Sequence, residues 1–275
     1  MSLIPVIARL EEKRALDHNH SLFRFIFKEE QMREKFHFQP GQFVMLSIFG
    51  VGEAPISITS GPDEKGFIDL CVRKAGRVTT ALYSLEENGK VGIRGPFGNG
   101  YPVDKMRGGN LLIVAGGLGI APLRSLIRYV LWRREAFKEV AIVYGTKNPA
   151  SLLFNEEMRE LVLRRDIKCL LTVDSAQDNE SWKGHVGSVT DLIDMTGMPL
   201  MDTSVAVCGP PGFYKYVLEK LLSLGCSKGK IYMSLERRME CGEGKCGHCV
   251  IGHKYTCIDG PIFTYWDAIN LPEIF

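Results

Sequence analysis

A change of pattern near residue 106 constrains the fold more than any other feature of this 275-residue chain. Before it, residues 21–27, 42–48, 55–59, 66–72 and 90–94 are short runs rich in β-branched and aromatic side chains. Pro40-Gly41, Gly61-Pro62 and Gly95-Pro96 punctuate them, and only residues 78–87 read as helix. Short strands at this spacing predict an antiparallel β-barrel. After Met106-Arg107-Gly108-Gly109, apolar strands at 110–115, 140–144, 168–173 and 205–207 alternate with helical stretches at 121–134, 154–163 and 212–224. That alternation predicts a doubly wound parallel α/β sheet. From about residue 234 the text is rich in glycine and cysteine with little apolar periodicity, which predicts a small third lobe. The expected organisation is β + α/β, with boundaries at 1–104, 105–232 and 233–275.

Charge and composition narrow the function. Hydrophobic residues make up 45% and charged residues 24% of the chain, the balance of a globular protein. A formal net charge of +2 gives no electrostatic case for nucleic acid or a membrane surface. The stretch 108–123, 16 residues without Asp, Glu, Lys or Arg, is broken by five glycines, so no membrane span is expected. The first residues carry early acidic side chains and no long apolar stretch, so a cytoplasmic protein is expected.

Half of the eight cysteines fall in one segment, spaced Cys-x4-Cys-x2-Cys-x7-Cys at Cys241, Cys246, Cys249 and Cys257. In a reducing compartment such a cluster reads as metal ligands rather than disulfides. The first three spacings match the plant-type pattern for a 2Fe–2S cluster. Gly242, Gly244 and Gly247 allow a tight loop whose backbone N–H groups point at the sulfurs. Zinc is the competing metal, although structural zinc usually takes two C-x2-C knuckles and this segment has one.

Three further motifs suit nucleotides. The strand at 110–115 runs into Gly116-Gly117-Leu118-Gly119, and Pro122 suits the first turn of the following helix. Free N–H groups there make an anion site fit for a pyrophosphate, although a glycine-rich turn also serves plain packing. Cys208-Gly209-Pro210-Pro211 ends a strand of the same sheet, at the edge where open α/β sheets bind ligands. Its thiol either faces a bound ring or is a buried small apolar group. In the barrel half, Ala54-Pro55-Ile56-Ser57 offers a hydroxyl on an extended strand. Gly76-Arg77-Val78-Thr79-Thr80 offers a cation and two hydroxyls ahead of a helix.

Taken together and in this order, these elements resemble the ferredoxin–NADP⁺ reductase superfamily across nearly the whole chain. The run Ser234-Leu235-Glu236-Arg237-Arg238-Met239-Glu240-Cys241-Gly242, then Gly244-Lys245-Cys246-Gly247-His248-Cys249, then Cys257-Ile258-Asp259-Gly260-Pro261, is similar to the sulfhydrogenase gamma and anaerobic sulfite reductase B type. Dihydroorotate dehydrogenase electron-transfer subunits share this lobe. The resemblance implies FAD in the barrel, NAD(P)(H) in the α/β domain and a 2Fe–2S cluster on the four cysteines.

It also places roles. The flavin motif R-x-Y-S falls on Ala54, Pro55, Ile56 and Ser57, with Ser57 at the flavin ring. Cys71, Val72 and Arg73, with Val78, Thr79 and Thr80, fall where the family contacts FAD and its pyrophosphate. Gly116, Gly117, Leu118, Gly119 and Pro122 match the nucleotide loop, and Gly145, Thr146 and Lys147 match the segment beside the adenosine ribose. Cys208, Gly209, Pro210 and Pro211 match the turn beside the nicotinamide, so Ser57 and Cys208 are the candidate catalytic residues. The motif's arginine is Ala54 here, and Arg73 or Arg77 must supply that charge. Lys147 replaces an arginine, which leaves NAD against NADP open.

The function implied is an NAD(P)-dependent flavin oxidoreductase subunit. It exchanges hydride with NAD(P)(H) and passes single electrons through the cluster to catalytic and iron–sulfur subunits of a hetero-oligomeric complex, with a NiFe hydrogenase foremost. The rivals are a self-sufficient NAD(P)H oxidoreductase and a zinc-stabilised nucleotide-sensing module.

Overall fold

The computed structural model describes residues 4–176 and 182–271. The chain divides into two compact units. The first comprises Met1–Tyr101, Arg124–Trp132 and Leu235–Ile262; the second comprises Pro102–Leu123, Arg133–Ser234 and Phe263–Phe275.

The first unit is built on six strands: β1 (Val6–Ala15), β2 (His20–Phe27), β3 (Phe43–Ile48), β4 (Gly52–Ser57), β5 (Ile68–Arg73) and β6 (Lys90–Phe97). Two short helices accompany them, α1 (Glu30–Lys35) and α2 (Arg77–Tyr83). The strands run β4-β3-β6-β1-β2-β5, every neighbour antiparallel. The chain leaving β4 then closes the two edges. Ile58 bridges Leu70, and the Thr59 N–H donates to the Asp69 carbonyl at 2.8 Å. Closure removes the exposed edges that an open sheet would leave, so the predicted barrel is present.

Alternation along the strands sends Val44, Leu46 and Ile48 inward to join Phe23, Phe25, Leu70, Val91 and Ile93 in one core. Strand β3 is buried along its whole length, because its other face is covered as well. There Phe43 and Met45 of β3, with Phe97 of β6, pack against Met239, Cys249, Cys257 and Tyr255. The cysteine-rich segment therefore shares a hydrophobic core with the barrel. Burying those three barrel side chains stabilises the arrangement by about 1.5–3 kcal/mol each. Strand β1 alternates cleanly only through Val6, Ala8 and Leu10. A register shift follows, and Glu11 to Arg14 run out exposed or half-exposed.

The second unit begins with α3 (Val103–Met106) and β7 (Asn110–Gly116). It continues through α4 (Ile120–Trp132, counted with the first unit from Arg124), β8 (Val140–Thr146), α5 (Asn155–Leu163), β9 (Lys168–Val173), β10 (His185–Val186) and α6 (Val189–Met195). Then come β11 (Thr203–Cys208), α7 (Pro211–Ser223) and β12 (Ile231–Ser234). The cysteine segment carries the hairpin β13 (Val250–Ile251) and β14 (Lys254–Tyr255), ahead of β15 (Ile262–Thr264) and α8 (Tyr265–Ile269). The large sheet runs β10-β9-β8-β7-β11-β12-β15, and its pairs from β10 to β12 are parallel. The chain winds outward from β7 to β10, then returns to lay β11 on the other side of β7. That reversal is the switch point at which such sheets bind ligands. Helix α6 was not expected, although its Ser188 and Asp191 form a capping box readable from the sequence. Among the described residues no helix is long and apolar enough to cross a membrane.

Candidate functional site

Strand β4 is half-buried after an exposed Gly52, and this edge carries Ala54, Pro55, Ile56 and Ser57. Register separates its two faces. Pro55 pairs with Met45 and Ser57 with Phe43, so they share the face that meets the cysteine segment. Ala54 pairs with Leu46 and faces the other way, as do Gly52 and Ile56.

Ahead of β4, a cavity of about 460 Å³ is lined by Gly50, Val51, Arg77, Thr80, Ala81 and Ser84. The Arg77 guanidinium hangs over Gly52, where a Cβ would meet its Nη2 at 3.6 Å. Arg73 is exposed at the end of β5 and its charge acts on Glu236. The Thr79 hydroxyl is engaged locally, accepting from the N–H groups of Ala75 and Gly76 at 3.0 and 2.9 Å. Thr80 faces the cavity and Val78 packs on the core. Cys71 and Val72 are buried, and burial pushes the Cys71 thiol up to about 12.

In the second unit the register brings the nucleotide motifs to one sheet edge. Cys208 pairs with Ala115, and Gly116 pairs with Gly145. The Gly116–Gly119 turn, the Gly145-Thr146-Lys147 end of β8 and the Cys208-Gly209 turn therefore lie side by side. Their glycines do different work. Gly117 has φ +52° and opens onto free space. A Cβ at Gly119 would collide with the Cys208 carbonyl, so this glycine allows close packing of turn on strand. Phe213, missed by the sequence reading, closes over both Gly116 and Gly209. Leu118 is half-buried and Pro122 is buried at the start of α4. Lys147 is exposed, while Tyr144 is a core residue whose hydroxyl accepts from the Leu153 N–H. The Cys208 thiol is buried and lies 3.7 Å from the Ser234 carbonyl. Pro210 and Pro211 lead into α7 and are exposed.

The four clustered cysteines lie as two neighbouring pairs, Cys241 beside Cys246 and Cys249 beside Cys257. Among the described residues no three His, Cys, Asp or Glu side chains close around a single ion. The pairs differ in exposure: Cys249 and Cys257 are buried against the barrel, whereas Cys246 is exposed. Gly242, Gly244 and Gly247 all have φ between +70° and +80°. The loop they shape aims the N–H groups of Glu243 and Lys245 at Cys241 Sγ, each at 3.3 Å, and that of Gly244 at Cys257 Sγ at 3.0 Å. Two thiol pairs wrapped in N–H···S contacts fit a two-iron cluster, with one pair per iron. The His248 N–H holds the Cys246 thiol below its ordinary range, and burial pushes Cys257 up to about 12.

Two polar residues that the sequence reading missed fasten this segment to the barrel. Asn99 donates from Nδ2 to the carbonyls of Asp259 and Ile262, both at 2.8 Å, and its Oδ1 accepts from the Ile262 N–H at 2.9 Å. Arg94 forks onto Glu53 and donates to the Cys241 carbonyl at 3.1 Å.

Comparison with known proteins finds three domains in this order along the chain. The chain matches the oxidoreductase FAD-binding domain over residues 7–101 and the oxidoreductase NAD-binding domain over 113–219. It matches the iron–sulfur cluster binding domain of dihydroorotate dehydrogenase B over 236–268, which sets the zinc alternative aside. It is 42% identical to sulfhydrogenase 2 subunit gamma of Pyrococcus furiosus over 277 residues, covering 96% of each chain. It is 33% identical to the probable dihydroorotate dehydrogenase B electron transfer subunit of the same organism, over 88% of this chain and 86% of that one. Among solved structures, the NADH-dependent reduced ferredoxin-NADP oxidoreductase superposes with a TM-score of 0.74 at 25% identity, over 97% of this chain and 89% of the other. The chain belongs to the ferredoxin–NADP⁺ reductase superfamily of flavin oxidoreductases, among the sulfhydrogenase gamma subunits and their iron–sulfur-bearing relatives.

Proposed function

We propose that this chain is the electron-transfer subunit of a cytoplasmic, hetero-oligomeric redox complex of the sulfhydrogenase type, working with separate catalytic and iron–sulfur subunits. When bound, NAD(P)(H), FAD and a 2Fe–2S cluster would supply hydride exchange and the splitting of electron pairs into single electrons, while the protein positions them. The observation that carries this reading is the shared face of β3, β4 and β6. Pro55 and Ser57 stand on the same side as Phe43 and Met45, which pack directly on Cys249 and Cys257. Ser57 orients the flavin ring on that face. Arg77, rather than Arg73, supplies the cation for the FAD diphosphate that Ala54 lacks, because it lines the cavity beside Gly50 and Val51 at the start of β4. In the second unit, the open Gly117 turn takes the nucleotide phosphates and the Cys208 turn bounds the nicotinamide. Cys246, the exposed ligand, marks the edge through which the partner subunit draws or delivers electrons.

A dihydroorotate dehydrogenase partner is the second reading, favoured by the iron–sulfur domain match but weakened by lower identity, 33% over 88% of this chain against 42% over 96%. Purification from the native source, with identification of the chains that accompany it, decides between them. Hydrogenase subunits are expected. A chain that purifies alone and reduces small acceptors at full rate would make it a self-sufficient oxidoreductase.

A further inference from the structure

We propose that Arg94 is a positioning residue for the cluster: it ties the first ligand, Cys241, to the flavin-bearing strand and raises the potential at which the cluster takes up an electron. The proposal rests on the reading of the four cysteines as 2Fe–2S ligands. Arg94 lies on β6 opposite Met45, so it faces the cysteine segment rather than the barrel interior. Its side chain is only 6% exposed, a burial that arginine tolerates only when paired.

Glu53, the neighbour of Ala54 on β4, supplies the pairing, with Nε to Oε1 at 3.1 Å and Nη2 to Oε2 at 2.7 Å. Ser47 braces that carboxylate from β3 at 2.5 Å. A structural ion pair would be complete at this point. Arg94 goes further: Nη2 also donates to the Cys241 carbonyl at 3.1 Å, and the guanidinium lies 5.5 Å from the Phe97 ring centre. Nη1 is buried without a hydrogen-bond partner and points at Glu243, whose buried Oε1 also lacks one, at 3.8 Å. The fixed cation thus aims at the loop Cys241-Gly242-Glu243, which itself directs N–H groups onto Cys241 Sγ.

Adding an electron to a thiolate-ligated cluster adds negative charge, so a fixed cation nearby favours the reduced form. Glu53 offsets part of that charge. The two residues should therefore move the potential in opposite directions, which a mere packing defect would not do.

Redox titration of the holoprotein, followed by the electron paramagnetic resonance of the reduced cluster, tests this in parent, Arg94→Gln, Arg94→Lys and Glu53→Gln. Arg94→Gln should make reduction at least tenfold less favourable, a midpoint lower by 59 mV for one electron. Arg94→Lys should recover most of the loss, and Glu53→Gln should shift the midpoint upward. Bleaching of the flavin by NAD(P)H should be unchanged in all three. An Arg94→Gln equilibrium within twofold of the parent, or a downward shift in Glu53→Gln, overturns the proposal. If Arg94→Gln fails to hold a cluster, the sign of the Glu53→Gln shift decides. A parent protein without a 2Fe–2S signal would instead overturn the cluster reading itself.

Discussion

Replacing Asn99 by alanine should loosen the cysteine segment while leaving the barrel folded. Asn99 makes three side-chain hydrogen bonds to one short stretch, to the carbonyls of Asp259 and Ile262 and from the Ile262 N–H. That stretch begins two residues beyond Cys257. Each such bond contributes about 1 kcal/mol net, and water reaches some of the freed groups after truncation, so the loss should be about 2–3 kcal/mol. The backbone bond from the Asn99 N–H to the Gly260 carbonyl survives the change. At about 1.4 kcal/mol per tenfold, the population of the opened segment should rise roughly 30- to 150-fold. Iron release to an excess of chelator reads that population directly when reclosing outpaces chelation. The assay is anaerobic loss of cluster absorbance after chelator addition, with FAD content as the internal control. An iron-release rate within twofold of the parent would refute the idea that Asn99 latches the lobe.

Arg77→Ala should weaken FAD binding roughly five- to thirtyfold, from about 1–2 kcal/mol of charge-assisted bonding discounted for exposure, whereas Arg73→Ala should bind FAD as the parent does; fluorescence titration of flavin into apoprotein checks the order, and the reverse order would return the diphosphate to Arg73. Gly119→Ala should lower the melting temperature, because its Cβ strikes the Cys208 backbone and overpacking costs about 1–3 kcal/mol. Gly117→Ala should stay folded, at about 1 kcal/mol for its positive φ, and instead lose NAD(P)H affinity; equal effects at both positions would mean the turn is packing alone. Acid should weaken the clamp on the cysteine segment. Arg94 hydrogen bonds hold the Glu53 carboxyl below its ordinary 4.5, so its contribution is present above that pH and is lost as the carboxylate protonates below it. Glu53→Gln should therefore flatten the acid limb of the stability profile, and a limb unchanged from the parent would assign it to other carboxylates.

The barrel strands, the parallel sheet and the cysteine loop were legible because each carries a local signal: alternating apolar residues, strand–helix alternation, and ligand spacing with glycines between. What joins the cysteine segment to the barrel was not. Arg94 meets the Cys241 carbonyl across 147 residues and Asn99 meets Ile262 across 163, and no local pattern announces such pairings. One trace was available, because the run Phe43-Val44-Met45-Leu46-Ser47-Ile48 is apolar on both faces, as in a strand covered twice. In sequence the glycines of the nucleotide turn suit a phosphate or plain packing alike, and the structure divides them: Gly117 opens onto free space, whereas Gly119 gives room to the Cys208 backbone. A glycine that admits a ligand and one that admits a neighbouring strand look the same in sequence. Thr79 was assigned to phosphate for a similar reason, since a helix-capping hydroxyl and a ligand-binding one occupy the same position ahead of α2.

Anaerobic titration of the purified chain with NADH and NADPH, recording flavin absorbance and cluster paramagnetic resonance together, tests the central claim most directly. The expected result is bleaching of one bound FAD, followed by the signal of a reduced 2Fe–2S cluster in the parent. In Cys246→Ser, flavin bleaching should persist while the cluster signal is lost or altered. A colourless chain, or a parent whose flavin is fully reduced while an intact cluster of accessible potential stays oxidised, would contradict electron transfer from nicotinamide through flavin to the cysteine-held cluster.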